Sequence, residues 1–359
     1  MRQGIALIIL LACGCRTASS EQAQEGVSST QERPNIIFLF SDDQRDNSFG
    51  AMGHPYVKTP HFDRLITDGV RFRNTYIAEP TCSPSRAAVF TGTHERVNGV
   101  GFTSSYQITE QQWQYTYPAL LHKNGYYTGF IGKFGVEHYT FKGRASEKFD
   151  YWRGHDGWAK FFFHTASNCS AYHDSKTEII TEVTGESMVR FVDSVPEGRP
   201  FCLSVSFSVP HGSQVKSMAQ FPGPANRIDK LRDHAIYGNL YRDLDIRIPD
   251  DTATDPYRFI PRAIMDQDKG RRTKTYAYDY DRISCLEHHI RYHQLITGMD
   301  AALGQMLDAL DRRRLRQNTV IIFASDHGLL MGEYGMGGKA LLYDLASKIP
   351  CFVYDPHLP

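Results

Sequence analysis

The sequence has no surplus of charge of either sign. Its 359 residues carry 40 Lys and Arg against 40 Asp and Glu, a formal net charge of zero. That excludes nucleic-acid binding driven by overall charge, so a polyanionic partner has to be met by a local patch. The seven cysteines fall at irregular spacing and form no CxxC pair. This excludes both a disulfide framework and a zinc framework. No apolar run is long enough to span a bilayer, the one near the start, Ile5 to Leu11, being too short. There is no internal repeat. The length suffices for one large domain or two modest ones.

What is present is an alternation of strand and helix patterns. Asn35-Ile36-Ile37-Phe38-Leu39-Phe40-Ser41 is a continuous apolar run, which suits a strand covered on both faces. Tyr127–Ile131, Phe201–Val209, Thr319–Ser325 and Pro350–Tyr354 read as further strands, and Val70–Tyr76 as a returning one. Thr59-Pro60 opens a helix that Gly69 ends, and Tyr117–Lys123 is a short helix. Glu178–Val195 and Leu286–Leu315 carry helical apolar spacing. Phe134–Lys176 reads as long loops with little regular structure, with His155, Asp156 and Trp158 as exposed loop packing. Ser213–Arg282 reads as an insertion over the face of the sheet. The alternation predicts an α/β fold with a mainly parallel central sheet flanked by helices. In such sheets ligands bind at the carboxyl ends of strands. Asp42-Asp43, Lys133, His211 and Asp326-His327 each follow a predicted strand, so residues far apart in sequence are expected to converge on one edge.

Thr81-Cys82-Ser83-Pro84-Ser85-Arg86 ends an irregular stretch and precedes the helix-prone run Ala87–Phe90. Ser83 and Ser85 are capping residues and Pro84 suits a first turn, so Cys82 is expected where a helix begins. Backbone N–H groups and a positive dipole end would aim past it, a place to hold a tetrahedral anion. Arg86, one turn on, is expected to reach back over Cys82. A lone cysteine in this setting is more often a buried structural residue. The carboxylates Asp42, Asp43 and Asp326 repel one another unless a cation neutralises them. Oxygen donors favour a hard cation, and Ca²⁺ accepts more ligands and looser geometry than Mg²⁺.

Cys82-Ser83-Pro84-Ser85-Arg86, extended by Thr91-Gly92, resembles the signature of the type I sulfatases of the alkaline-phosphatase-like superfamily. Gly132-Lys133, Pro210-His211 and Gly338-Lys339 resemble further motifs of that family, and the resemblance runs from Pro34 to Asp355. It implies that a maturation enzyme oxidises Cys82 to formylglycine. It implies also that Asp42, Asp43, Asp326 and His327 ligate one Ca²⁺ ion, with residue 82 a further ligand. The implied reaction is sulfate-ester hydrolysis. In it residue 82 is the nucleophile, Arg86 steadies it, Lys133 and Lys339 hold the sulfate oxygens, and His211 protonates the leaving alcohol. The implied substrate is a sulfated carbohydrate or an aryl sulfate. Two rival readings stay open. One is a phosphomonoester or phosphonate hydrolase of the same superfamily, the other a non-catalytic protein that binds sulfated glycan.

The sequence departs from the family pattern at two points. The family's Gly-Lys-x-His has Gly135 where the histidine stands, and His138, three residues on, is the candidate to replace it. The family usually continues beyond the last core strand into a smaller C-terminal subdomain, which is expected to be missing here. Residues 1–15 read as an export signal, with Arg2, then the apolar run, then small residues. Leu10-Leu11-Ala12-Cys13 resembles a bacterial lipobox, and Ala12-Cys13-Gly14-Cys15 offers a second site. This predicts export to the periplasm or cell surface and a membrane anchor through lipid on Cys13 or Cys15. Residues 16–33, rich in Ser, Gln and Glu, read as a flexible tether, and 34–359 as the catalytic domain.

Overall fold

The computed structural model describes residues 33–102, 107–136, 144–157, 159, 161–162, 167–212, 231, 233–250 and 282–358. The expected signal, nearly all of the tether, His138 and Trp158 lie outside these residues. The main sheet is built from β1 (Asn35–Asp42), β2 (Val70–Arg71), β3 (Tyr127–Lys133), β4 (Tyr151–His155), β5 (Phe201–Pro210), β6 (Thr319–Ser325) and β9 (Cys351–Tyr354). A separate hairpin pairs β7 (Leu330–Met331) with β8 (Gly337–Gly338). The strand order in the main sheet is β2-β9-β6-β1-β5-β3-β4. β6, β1, β5, β3 and β4 are parallel, while β9 is antiparallel to β6 and β2 antiparallel to β9. The helices are α1 (Pro60–Thr67), α2 (Cys82–Thr91), α3 (Glu95–Asn98), α4 (Glu110–Trp113), α5 (Tyr117–Lys123), α6 (Ile180–Ser194), α7 (Arg282–Arg312) and α8 (Asp344–Ser347).

The unbroken apolar run of β1 follows from its central position. Ile37 and Leu39 join one core with Phe62 of α1, Val183 of α6 and Leu303 of α7. Phe38 and Phe40 face the other side, where Phe38 meets Tyr117 of α5 edge-on and Phe40 lies under the Arg86 guanidinium. Both faces are covered, so alternation is lost. On that second side Ala87 and Phe90 of α2 pack with Trp113, Phe130, Phe134 and Phe149. Along α7, Ile290, Leu295, Met299, Leu303, Met306, Leu307 and Leu310 are all buried, as their spacing requires. Burying each such side chain contributes about 1.5–3 kcal/mol. Among the described residues no helix is long and apolar enough to cross a membrane.

Three expectations need correction. Phe134–Lys176 is not merely loops, because β4 adds a parallel edge strand in which Lys133 pairs with His155. Its short length and its Trp152-Arg153-Gly154 centre hid it, for β4 takes its register from β3 and not from its own pattern. Val70–Tyr76 is strand only over Val70–Arg71, with an isolated bridge at Tyr76 to Lys348. The cap of α2 is Thr81, in extended conformation and without a side-chain cap bond, so Cys82 is the first helical residue and Ser83 and Ser85 lie inside the helix.

Candidate active site

Four neighbouring strands, β6, β1, β5 and β3, end at one edge. Their carboxyl ends deliver Asp326-His327, Asp42-Asp43, Pro210-His211 and Lys133. The N-terminus of α2 brings Cys82 to the same place. Cys82 Sγ is 3.6 Å from Asp42 Oδ1, 3.3 Å from His327 Nε2 and 2.9 Å from Lys339 Nζ. The cysteine is only 6% exposed. The expected convergence is therefore a geometric fact, with Lys339 arriving on the segment that follows β8.

The backbone bends sharply to aim these groups. Gly132 has φ of 95°, and a Cβ there would lie 1.9 Å from Ser206 O, so only glycine lets β3 turn Lys133 toward Asp42. Lys133 Nζ then ion-pairs with Asp42 Oδ2. Asp43 holds a left-handed φ of 67°, unusual for a residue with a side chain. Its N–H donates to Asp326 Oδ1 at 3.1 Å, and its carbonyl accepts from Tyr292 OH at 2.9 Å. These bonds pin a strained turn at the site.

Arg86 feels the charge of Cys82, and its guanidinium is held by partners on or directly after four strands. Its Nε donates to Asp326 Oδ2 at 3.1 Å, its Nη1 donates to Lys133 O at 3.0 Å and to Ser206 Oγ, and its Nη2 is 3.5 Å from Asp42 Oδ2. Arg86 thus ties the carboxylates of β1 and β6 to β3 and β5. Such a buried network is stable only while every partner is present, and removing one partner costs about 3–5 kcal/mol.

The charges set the protonation states. Burial acts to raise the Asp42 carboxyl, yet Lys133, His211, Arg86 and Lys339 outweigh it and hold it well below the ordinary range. Asp43 is lowered against burial chiefly by Lys339 and His211. Burial and Asp42 push the Cys82 thiol up, but Lys133 and Lys339 bring it below its ordinary value, toward thiolate. Burial presses His211 down to about 4 despite Asp43, 3.7 Å away, so its imidazole is neutral. His327 goes the other way: burial opposes its charge, but Asp326, Cys82 and Asp43 raise it to about 9.

Asp42, Asp43, Cys82 and His327 each offer one ligand atom, and these atoms lie within 4.8 Å of one another. Two buried carboxylates in such a group fit a hard cation. Asp326 stands beside them, with Oδ1 3.5 Å from His327 Nε2, but its Oδ2 is engaged by Arg86.

The sulfatase family model matches residues 34–359. The chain belongs to the sulfatase family. Membership places it among the sulfuric ester hydrolases of alkaline-phosphatase-like fold. It is 24% identical over 392 residues to the N-acetylglucosamine-6-O-sulfatase of Bacteroides thetaiotaomicron, covering 98% of this chain and 67% of that one. A structure solved in complex with its substrate D-glucosamine-2-N,6-O-disulfate superposes with TM-score 0.59 at 22% identity, over 90% of this chain and 71% of that one. The phosphonate monoester hydrolase of Agrobacterium radiobacter superposes with TM-score 0.63 at 20% identity, over 90% and 68%. At these identities the two structures show a shared fold.

Two residues of this sulfatase edge escaped the sequence reading. Ser206 bonds Arg86, and its signal was the polar Ser204-Ser206-Ser208 alternation inside an otherwise apolar strand. His155 was read as exposed loop and is buried at the end of β4, its Nε2 3.0 Å from Ser208 Oγ. Burial and Lys133 press its pKa down to about 3. Only strand pairing could have found it.

Proposed function

We propose that this chain hydrolyses sulfate esters of glycans with a nucleophile derived from Cys82. The observation that carries this reading is the position of Cys82 Sγ at a helix N-terminus, between Asp42, His327 and Lys339. The relative named for N-acetylglucosamine-6-O-sulfate chemistry and the neighbour solved with a sulfated glucosamine support a sugar substrate.

Asp42, Asp43, Asp326 and His327 would hold Ca²⁺, which supplies charge to acidify a neighbouring hydroxyl and to neutralise sulfate. Formylglycine at residue 82, as its hydrate, supplies two hydroxyls on one carbon. Around that position Lys133 and Lys339 present fixed ammonium groups to the sulfate oxygens, where negative charge develops as the ester bond breaks. Both are held charged by the neighbouring carboxylates against the cost of burial. His211 stands over Asp43 and is placed to give a proton to the leaving alcohol. It is neutral at rest, and the negative charge of an arriving sulfate favours its protonation. Arg86 holds the Asp326 and Asp42 carboxylates in place.

Mass spectrometry of the peptide containing Cys82, after expression with the maturation enzyme, tests this reading. Conversion to formylglycine lowers the mass by about 18 Da. Turnover of 4-nitrophenyl sulfate should then exceed that of 4-nitrophenyl phosphate. An intact thiol with phosphate turnover would instead favour the phosphonate-hydrolase-like alternative, and no turnover of either a binding protein. Export and lipid attachment at Cys13 or Cys15 are part of the same proposal and rest on residues 1–15. Membrane partitioning of the full chain against a Cys13→Ser, Cys15→Ser double variant would check them.

A further inference from the structure

The side chains gathered at the strand edge are a mixed set of donors. Asp42 and Asp43 offer oxygen, Cys82 sulfur and His327 nitrogen, one ligand atom from each, and all four residues are buried. Ca²⁺ takes about six to eight ligands, all of them oxygen. This group supplies oxygen from two residues and adds a thiol and an imidazole. Zn²⁺ prefers a tetrahedron and accepts sulfur, nitrogen and oxygen together. The spacing fits that smaller shell. With Zn–S about 2.3 Å and Zn–N or Zn–O about 2.0–2.2 Å, the tetrahedron edges that start at the sulfur are about 3.6 Å long. Cys82 Sγ is 3.6 Å from Asp42 Oδ1 and 3.3 Å from His327 Nε2.

The histidine is oriented for ligation. Its Nδ1 is 2.9 Å from Gly328 O, and a carbonyl only accepts, so Nδ1 carries a proton and donates. Asp43 Oδ1 lies 3.2 Å from the same nitrogen and favours a proton there too. That leaves Nε2, the nitrogen facing the sulfur, as the ligand atom. Histidines on a metal ordinarily have their second nitrogen held in this way. Asp326, Cys82 and Asp43 also favour a second proton on His327, and a metal ion that takes over their negative charge displaces it. The sulfur is prepared likewise. Lys339 Nζ donates to it at 2.9 Å, a bond that favours thiolate, the form that binds metal.

We propose that the thiol form of this chain binds Zn²⁺ through Cys82, His327, Asp42 and Asp43 in preference to Ca²⁺. The atom carried by residue 82 then selects the metal, sulfur for zinc and oxygen for calcium. The zinc half stands on the four residues alone and is independent of any hydrolysis. The calcium half rests on the formylglycine reading.

The test uses the full chain expressed without the maturation enzyme, in a Cys13→Ser, Cys15→Ser background that removes two neighbouring thiols. The protein is stripped with a chelator and titrated with Co²⁺, a spectroscopic stand-in for zinc, and then with Zn²⁺ or Ca²⁺. Co²⁺ should give a thiolate-to-cobalt charge-transfer band. Stoichiometric Zn²⁺ should abolish that band, and a large excess of Ca²⁺ should leave it. Cys82→Ser should remove the band and weaken Zn²⁺ at least about 100-fold, since a partner that merely orients a ligand is already worth about 10–100-fold. His327→Asn should weaken Zn²⁺ at least about tenfold and Ca²⁺ far less, and it carries the test if Cys82→Ser does not fold. The proposal is overturned if the band is absent, if Ca²⁺ displaces the cobalt, or if the substitutions leave zinc affinity unchanged. Turnover of 4-nitrophenyl sulfate by the matured chain, measured separately, decides the sulfatase reading, and zinc binding by the thiol form holds or fails without it.

Discussion

Gly135 stands where the sulfatase pattern has histidine, and the structure makes restoring a side chain there costly. Its φ is 67°, in the left-handed region. A residue with a Cβ pays about 1–2 kcal/mol for that conformation. A Cβ built on Gly135 would also lie 2.5 Å from Arg86 Cδ and 3.1 Å from Arg86 Nε. Arg86 cannot swing aside, because its head is fixed by Asp326, Ser206 and Lys133 O. Overpacking of this kind costs about 1–3 kcal/mol more. Gly135→Ala should therefore lose about 2–5 kcal/mol in urea unfolding, with a fall in Tm on the order of 5 °C. Moving Arg86 also moves Asp326 and Asp42, and a displacement near 1 Å at a reacting site costs about 100-fold in rate. Turnover of 4-nitrophenyl sulfate by Gly135→His should drop accordingly and not rise. A Gly135→Ala protein within about 0.5 kcal/mol of the parent, or a Gly135→His protein with higher turnover, would refute this account of the missing histidine.

Three further outcomes follow from the site and its surroundings. His211→Gln should slow hydrolysis of a sulfated sugar by about 10²–10⁴-fold, and that of 4-nitrophenyl sulfate far less, because the nitrophenolate needs no proton to leave. Equal losses on both substrates would remove His211 as the acid. Treatment with EGTA should abolish sulfate-ester turnover, and Ca²⁺ should restore it better than Mg²⁺; turnover that survives chelation contradicts the assigned ligands. Away from the site, burial and a hydrogen bond to Glu95 raise Glu79 from 4.5 to about 7. Its proton is held more tightly in the folded chain, so the stabilisation is present below pH 4.5 and is lost as pH rises through 7. Urea midpoints across pH 4–8 should show that decline, and Glu79→Gln should flatten it.

The sequence and the structure divide the evidence unevenly. The α/β class was legible because β5 is buried on both faces and β1 and β6 are buried on one and partly covered on the other, which leaves long apolar runs, and because α7 keeps an apolar spacing along its buried side. Asp42, Asp43, Asp326 and His327 could be read because each directly follows such a run. Edge elements carry no comparable signal, since an edge strand is defined by its neighbour. β4 was lost for that reason, and His155 with it. Arg86 was placed correctly on its helix, but its buried partners Asp326, Ser206 and Lys133 O were not foreseen. Helical spacing gives the turn on which a side chain lies, but not which buried carboxylate will capture a guanidinium.

By itself, then, the order of residues determined which groups stand at strand ends and at the start of α2, because hydrophobic periodicity and a proline in the first helical turn act over a few neighbours. Only the tertiary structure decided which of those groups touch. It set Lys339 against Cys82, turned Arg86 to Asp326 and closed the space at Gly135, because contacts between residues tens to hundreds of positions apart depend on strand order and register.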